Sequence, residues 1–128
     1  MRAECRTNTT KEVLKVAKII RLTAARVTPQ AEKKFNQWYN ETHVPMLMKC
    51  KTLKKATRYK RVTPDDKYPN YLIIYEFDSR EGFERYDKGP ELAAAIKETG
   101  ESWPGKGMER GFDLEWRVEF ELLKSWEQ

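Results

Sequence analysis

The last stretch of the chain, Gly111 to Leu123, alternates without a break. Phe112, Leu114, Trp116, Val118, Phe120 and Leu122 are apolar, and Asp113, Glu115, Arg117, Glu119 and Glu121 between them are charged. Successive side chains of a strand point to opposite faces, so a sustained period of two specifies a half-buried β-strand and leaves little room for a helix. Such a strand needs sheet neighbours, and upstream segments supply them. Lys15–Thr23 (KVAKIIRLT) and Tyr71–Phe77 (YLIIYEF) are short, β-branched or aromatic, and apolar on both faces, as strands covered on two sides are. Lys54–Val62 (KKATRYKRV) sets charges among strand formers, which suits a sheet edge.

Helices separate these strands. Thr28 can act as an N-cap, with Pro29 at the first helical position, where its missing N–H costs nothing. The helix is expected from Pro29 to about His43. At a step of roughly 100° per residue, Ala31, Phe35, Trp38, Tyr39 and Thr42 share one face, and Lys33, Lys34, Gln37 and Glu41 take the solvated side. Asn36 and His43 fall on the flank beside Tyr39. Pro45 is expected to end this helix, and Met46-Leu47-Met48 can add one more apolar turn. Further on, Asp78-Ser79-Arg80-Glu81 reads as a capping box with Asp78 as the cap. The helix it opens carries Phe83 and Tyr86 inward, is interrupted at Gly89-Pro90, and resumes over Glu91–Thr99 with Leu92, Ala95 and Ile96 at helical spacing. Gly100–Gly111, holding Trp103, reads as a loop.

The order strand, helix, strand, strand, helix, strand with right-handed crossovers gives an α+β, ferredoxin-like βαββαβ sandwich. Its four-stranded antiparallel sheet has the first and third strands in the centre and two helices on one face. The other face is apolar and has no helix to cover it, so a homodimer packed sheet to sheet is expected.

At 128 residues the chain holds one domain, expected over 15–128 after a loose polar arm at 1–14. Hydrophobic residues make up 39% and charged ones 35%, the balance of a soluble globular protein, and no apolar run approaches a bilayer span. The N-terminus lacks a signal peptide's apolar core, so a cytoplasmic protein without membrane contact is expected. Cys5 and Cys50 have no CxxC partner, and one histidine cannot build a metal cage alone, so neither a disulfide nor a metal site is expected. The net charge of +5 is spread among acids. Even the densest basic cluster, Lys49–Arg61, carries just one aromatic, Tyr59, so nucleic acid is not an expected partner.

Taken together, FNQWYNETHVP (35–45), ATRYKR, YLIIYEF, SREGFERY, PELAAA and FDLEWRVEFELLKSW resemble the dimeric α/β-barrel superfamily, and within it the EthD-like proteins. The resemblance covers roughly Lys15 to Trp126, and the WY…HVP pattern is its most specific part. It implies a homodimer whose two sheets form a barrel, with a cleft between sheet and helices in each subunit. Members occur with degradation pathways and aromatic polyketide biosynthesis. Relatives in the superfamily include cofactor-independent quinol monooxygenases, polyketide cyclases, muconolactone isomerases and haem-degrading monooxygenases. The last use an Asn, a Trp and a His. Asn36, Trp38 and His43 have those types, but their crowding on one helix departs from that pattern, and no cofactor is expected.

His43 is the first candidate for a catalytic group, because a neutral imidazole exchanges a proton near neutral pH; it could equally anchor the helix end. Tyr59 is a second candidate. Trp38 and Tyr39 can stack a planar ligand or simply fill the core. Asn36, Arg58 and Trp103 complete the candidate ligand-binding set, Arg58 for a carbonyl or enolate and Trp103 as a cap. Two functions fit: an enzyme acting on a small hydrophobic, quinone- or polyketide-like molecule without a metal, or a non-catalytic dimer that binds one.

Overall fold

The computed structural model of the protein describes residues 17–128. The arm expected at 1–14, and Cys5 within it, lie outside the described residues. The four strands are β1 (Ile19–Val27), β2 (Leu53–Lys60), β3 (Tyr71–Phe77) and β4 (Phe112–Glu121). They form one antiparallel sheet in the order β2-β3-β1-β4, with β1 and β3 central. This is the ferredoxin-like sandwich, and β2 is an edge strand as its charges require. Against expectation, β1 starts at Ile19 rather than Lys15 and runs past Thr23 to Val27. Ala24 and Ala25 are poor strand formers, but Leu72 and Tyr71 on one side and Trp116 and Leu114 on the other pair with them. Tertiary pairing overrides propensity here.

Thr28 caps the first helical rod, its Oγ1 accepting from the Ala31 N–H at 3.3 Å, with Pro29 in the first turn. A short 3₁₀ turn (Pro29–Ala31) leads into α1 (Glu32–Trp38). The rod does not end at Pro45. A π-turn over Tyr39–His43, closed by the Val44 N–H on the Tyr39 carbonyl, resets the ladder, and α2 (Val44–Leu47) begins anew. Pro45 thus enters in a first turn, where it has no donor to lose. Further on, Ser79, not Asp78, caps α3 (Arg80–Asp87), accepting from the Gly82 N–H at 2.9 Å. The longest helix, α4 (Pro90–Ser102), absorbs Gly100 into its last turn.

The helices cover one face of the sheet. Ile19, Thr23, Ala25 and Val27 of β1 and Tyr71, Ile73, Tyr75 and Phe77 of β3 are buried beneath them. Phe35, 1% exposed, is the hub: its ring lies 5.0–6.3 Å from those of Trp38, Tyr39, Tyr71, Trp103 and Phe112. Trp103 belongs to this core as well. It packs on Trp38 and Phe112 under the Lys34 ammonium, and among the described residues its Nε1 has no hydrogen-bond partner.

The alternation of β4 is not carried on one face. Ala24 pairs with Trp116 but Ala25 with Leu114, so Glu115 is an extra residue in a bulge. Before it, Phe112 and Leu114 lie opposite the helix-facing Val27 and Ala25. After it, Trp116, Val118 and Phe120 lie opposite Ala24, Leu22 and Ile20 on the other face. Among the described residues no helix lies over that face, which includes Leu72 and Ile74 of β3, and Trp116, Val118 and Phe120 remain 37–55% exposed. Three acids of β4 are paired within the chain. Glu115 bonds Arg26, Glu119 bonds Arg21 at 2.8 Å and Glu121 bonds Arg80 at 3.1 Å.

Candidate functional site

A cleft of about 330 Å³ opens between the first helical rod, α4 and the helix-facing side of β1, β3 and β4. This is the lower end of the size range of small-molecule sites. Trp38, Tyr39 and His43 wall it from the rod. Leu92, Ile96 and Thr99 face it from α4, and Thr23, Tyr75, Tyr86, Leu114 and Arg117 enclose the rest with Phe112 and Arg110.

His43 reaches this wall because of the π-turn. In an α-helix, residues five apart point about 140° away from each other. Here the rings of Trp38 and His43 stack at 4.6 Å with an interplanar angle of 28°, and Tyr39 meets His43 edge-on at 4.9 Å. From α4, Glu98 accepts the Trp38 Nε1–H at 2.9 Å, and the Thr99 hydroxyl lies 3.5 Å from His43 Nδ1. Thr99 donates its proton to the Ala95 carbonyl at 2.7 Å, so toward His43 its oxygen can only accept. This network assigns the proton to Nδ1 and leaves Nε2 as the acceptor.

Burial pulls the His43 pKa down to about 4, against a weaker opposing pull from Glu98. The imidazole is therefore neutral at pH 7. Because the unfolded chain binds this proton near 6.5 and the folded one near 4, stability is lost as pH falls through that window. His43→Gln should remove up to about 3 kcal/mol of this loss. Urea titrations of both proteins at pH 7.5 and at pH 4.5 measure it; parallel losses in the two would contradict the burial of a neutral ring.

Three phenols line the same cleft. Burial raises the pKa of Tyr39, Tyr75 and Tyr86 above the ordinary tyrosine value, so all three stay protonated as donors. Arg21, buried at the floor, is neutralised: it donates to Asp87 and to Glu119, each at 2.8 Å, and these bonds outweigh its desolvation. The cleft can thus stack a planar ring, donate to its oxygens, and accept one proton at His43 Nε2.

Of the residues singled out from sequence, Trp38, Tyr39 and His43 come together in the cleft. The others do not join them. Arg58 donates to Asn36 and Asn40, each at 2.8 Å, with its guanidinium 4.8 Å from the Tyr39 ring, and Asn36 also donates to the Tyr71 hydroxyl. Both residues line a shallow groove at the β2 edge with Lys60 and Tyr71. Tyr59 is half exposed and sits opposite Leu72, away from the cleft. Trp103 packs in the core. The Asn–Trp–His set is therefore split, Asn36 facing the sheet edge and Trp38 and His43 the cleft. The other cleft residues had signals too: Tyr75 shares the parity of Ile73, and Leu92, Ile96 and Thr99 repeat at helical spacing. Arg117 had none, since the bulge reverses its face.

Among the described residues, no group of three or more His, Cys, Asp or Glu is placed to hold a metal ion, and no helix is long and apolar enough to cross a membrane.

A four-stranded antiparallel sheet with helices and a cleft on one face defines a protein of the ferredoxin-like fold class. Within it, the chain belongs to the family described as Domain of unknown function (DUF4286), whose profile matches residues 18–107. No curated protein matches the sequence. Among solved structures it is similar to HapK from Hahella chejuensis, at 10% identity and a TM-score of 0.62 over 86% of this chain and 97% of that one. An EthD family protein from Bacillus halodurans is similar at 16% identity and a TM-score of 0.60, over 82% and 99% of the two chains. A dimeric protein of unknown function with a ferredoxin-like fold, from Bacteroides fragilis, is similar at 22% identity and a TM-score of 0.54, over 83% and 95%. At these identities the likeness is one of fold.

Proposed function

We propose that the protein is a homodimer that binds a small, planar, oxygen-bearing aromatic molecule in each cleft and moves a proton between the ligand and His43 Nε2. The observation that carries this reading is the composition of the cleft: aromatic walls, three protonated phenols and one neutral imidazole with its acceptor nitrogen free. Proton removal from a hydroxylated ring or an enolisable ketone leaves charge on oxygen, and phenol donors would stabilise it where it develops. The dimer is supported by the apolar open face of the sheet and by the dimeric relative of the same fold.

The low basicity of His43 favours a second reading, a dimer that binds such a molecule without turning it over. Hydroxynaphthalenes and quinones tested by thermal shift, followed by NMR of deuterium uptake at ring carbons of the bound hydroxynaphthalene, separate the two. For the enzyme, wild type binds and exchanges, and His43→Ala loses exchange by about 100-fold. Binding without exchange selects the second reading. Equal binding and equal exchange by the variant would remove His43 from the site.

A further inference from the structure

We infer that the natural ligand carries a carboxylate, held by Arg117 and Arg110 at the β4 side of the cleft; this rests on the aromatic-ligand reading above. The argument is one of unbalanced charge. Three arginines line the cleft, and among the described residues no Asp or Glu does. Arg21 is accounted for by Asp87 and Glu119. Arg110 is not: its Nε donates to the Phe112 carbonyl at 3.2 Å, its guanidinium lies 4.1 Å from the Phe112 ring, and no carboxylate among the described residues reaches it. Arg117 has no ion pair or side-chain hydrogen bond among the described residues.

Position sharpens the point. Arg117 lies opposite Thr23 on the helix side of the sheet, so the face that would meet a second subunit is not the one it serves. Its charge acts on the phenols of Tyr39 and Tyr86 across the cleft. Arg110 closes the short 3₁₀ turn Gly107–Arg110, just before β4 begins. Both guanidiniums border one small cavity that no Asp or Glu lines among the described residues, and a bound anion supplies the missing charge. A planar carboxylate matches the fork of a guanidinium with two parallel bonds, while the aromatic body it is attached to lies in the cleft against Trp38, Leu92 and Ile96. The phenols are then left for the hydroxyl or carbonyl oxygens of the ring.

The test compares a hydroxynaphthoate, its carboxamide and the parent naphthol, titrated calorimetrically against wild type, Arg117→Gln and Arg110→Gln at low and at physiological salt. The acid should bind wild type at least about tenfold more tightly than the amide, with a preference that shrinks as salt rises. Either variant should narrow the gap to about twofold while the naphthol binds as before. Because Arg117 is exposed on an edge strand, its variant should keep the wild-type melting temperature. Equal binding of acid and amide by wild type, or a gap unchanged in both variants, overturns the inference and leaves the aromatic-ligand reading in place. Failure of all three compounds to bind overturns both.

Discussion

Truncation of Phe35 to alanine should cost about 3–5 kcal/mol of folding stability, the largest effect expected of any single change in the helical layer. Its ring is 1% exposed and contacts five other aromatic rings drawn from the rod, β3, the end of α4 and the start of β4. Those neighbours are held from behind: Trp38 by Glu98, Tyr71 by its 2.6 Å bond to Glu32, and Tyr39 by the Arg58 guanidinium over its face. They cannot readily collapse into the space, so the transfer loss is joined by a cavity term. Urea denaturation monitored by tryptophan fluorescence measures the change. A loss below about 1 kcal/mol would mean that the ring is not the hub of this core.

Ile74→Asp should turn the proposed dimer into a folded monomer, whereas Ile73→Asp should unfold the chain. The two residues are adjacent on β3 and differ in face. Ile73 is 3% exposed beneath the helices, and Ile74 lies opposite Leu22 among the open-face residues Trp116, Val118 and Phe120. In a two-fold dimer each substitution occurs twice at one interface. At about 2 kcal/mol per uncompensated charge, dissociation strengthens by about 4 kcal/mol, or roughly a thousandfold. Sedimentation velocity together with circular dichroism distinguishes the outcomes. A wild type that sediments as a stable monomer at micromolar concentration would remove the dimer from the proposal.

Much of the fold was legible because its signals are local and repeated. The parity of Tyr71–Phe77, the Thr28-Pro29 start and the helical spacing of Phe35, Trp38 and Tyr39 each specify an element without reference to the rest, and their order specifies the topology. The sequence misled where one residue alters the count. A π-turn keeps the rod going through Pro45 and brings His43 onto Trp38, and an α-helical wheel has no place for either result. The bulge at Glu115 splits an alternation that looked uniform. Ser79 outcompetes Asp78 because a cap is chosen by where the backbone turns, and two capping types stood side by side. The candidate site was legible to the extent that it lies on one helix: Trp38, Tyr39 and His43. Its remaining polar groups come from three strands, α3, α4 and the turn before β4, and their convergence is a property of the folded chain. Arg58 is the instructive miss. It serves the site's neighbourhood by bracing Tyr39 from the far side, where strand composition alone could not place it.

The bulge in β4 has a wider consequence. One continuous strand furnishes Phe112 and Leu114 to the ligand cleft and Trp116, Val118 and Phe120 to the opposite surface, and the single extra residue at Glu115 is the point of exchange. In the proposed ligand-binding homodimer, the cleft and the contact with a second copy would therefore share one backbone. A ligand that tightened the first half of the strand would have a direct covalent route to the second, so in that dimer occupancy and assembly would need no relay of side chains to influence each other.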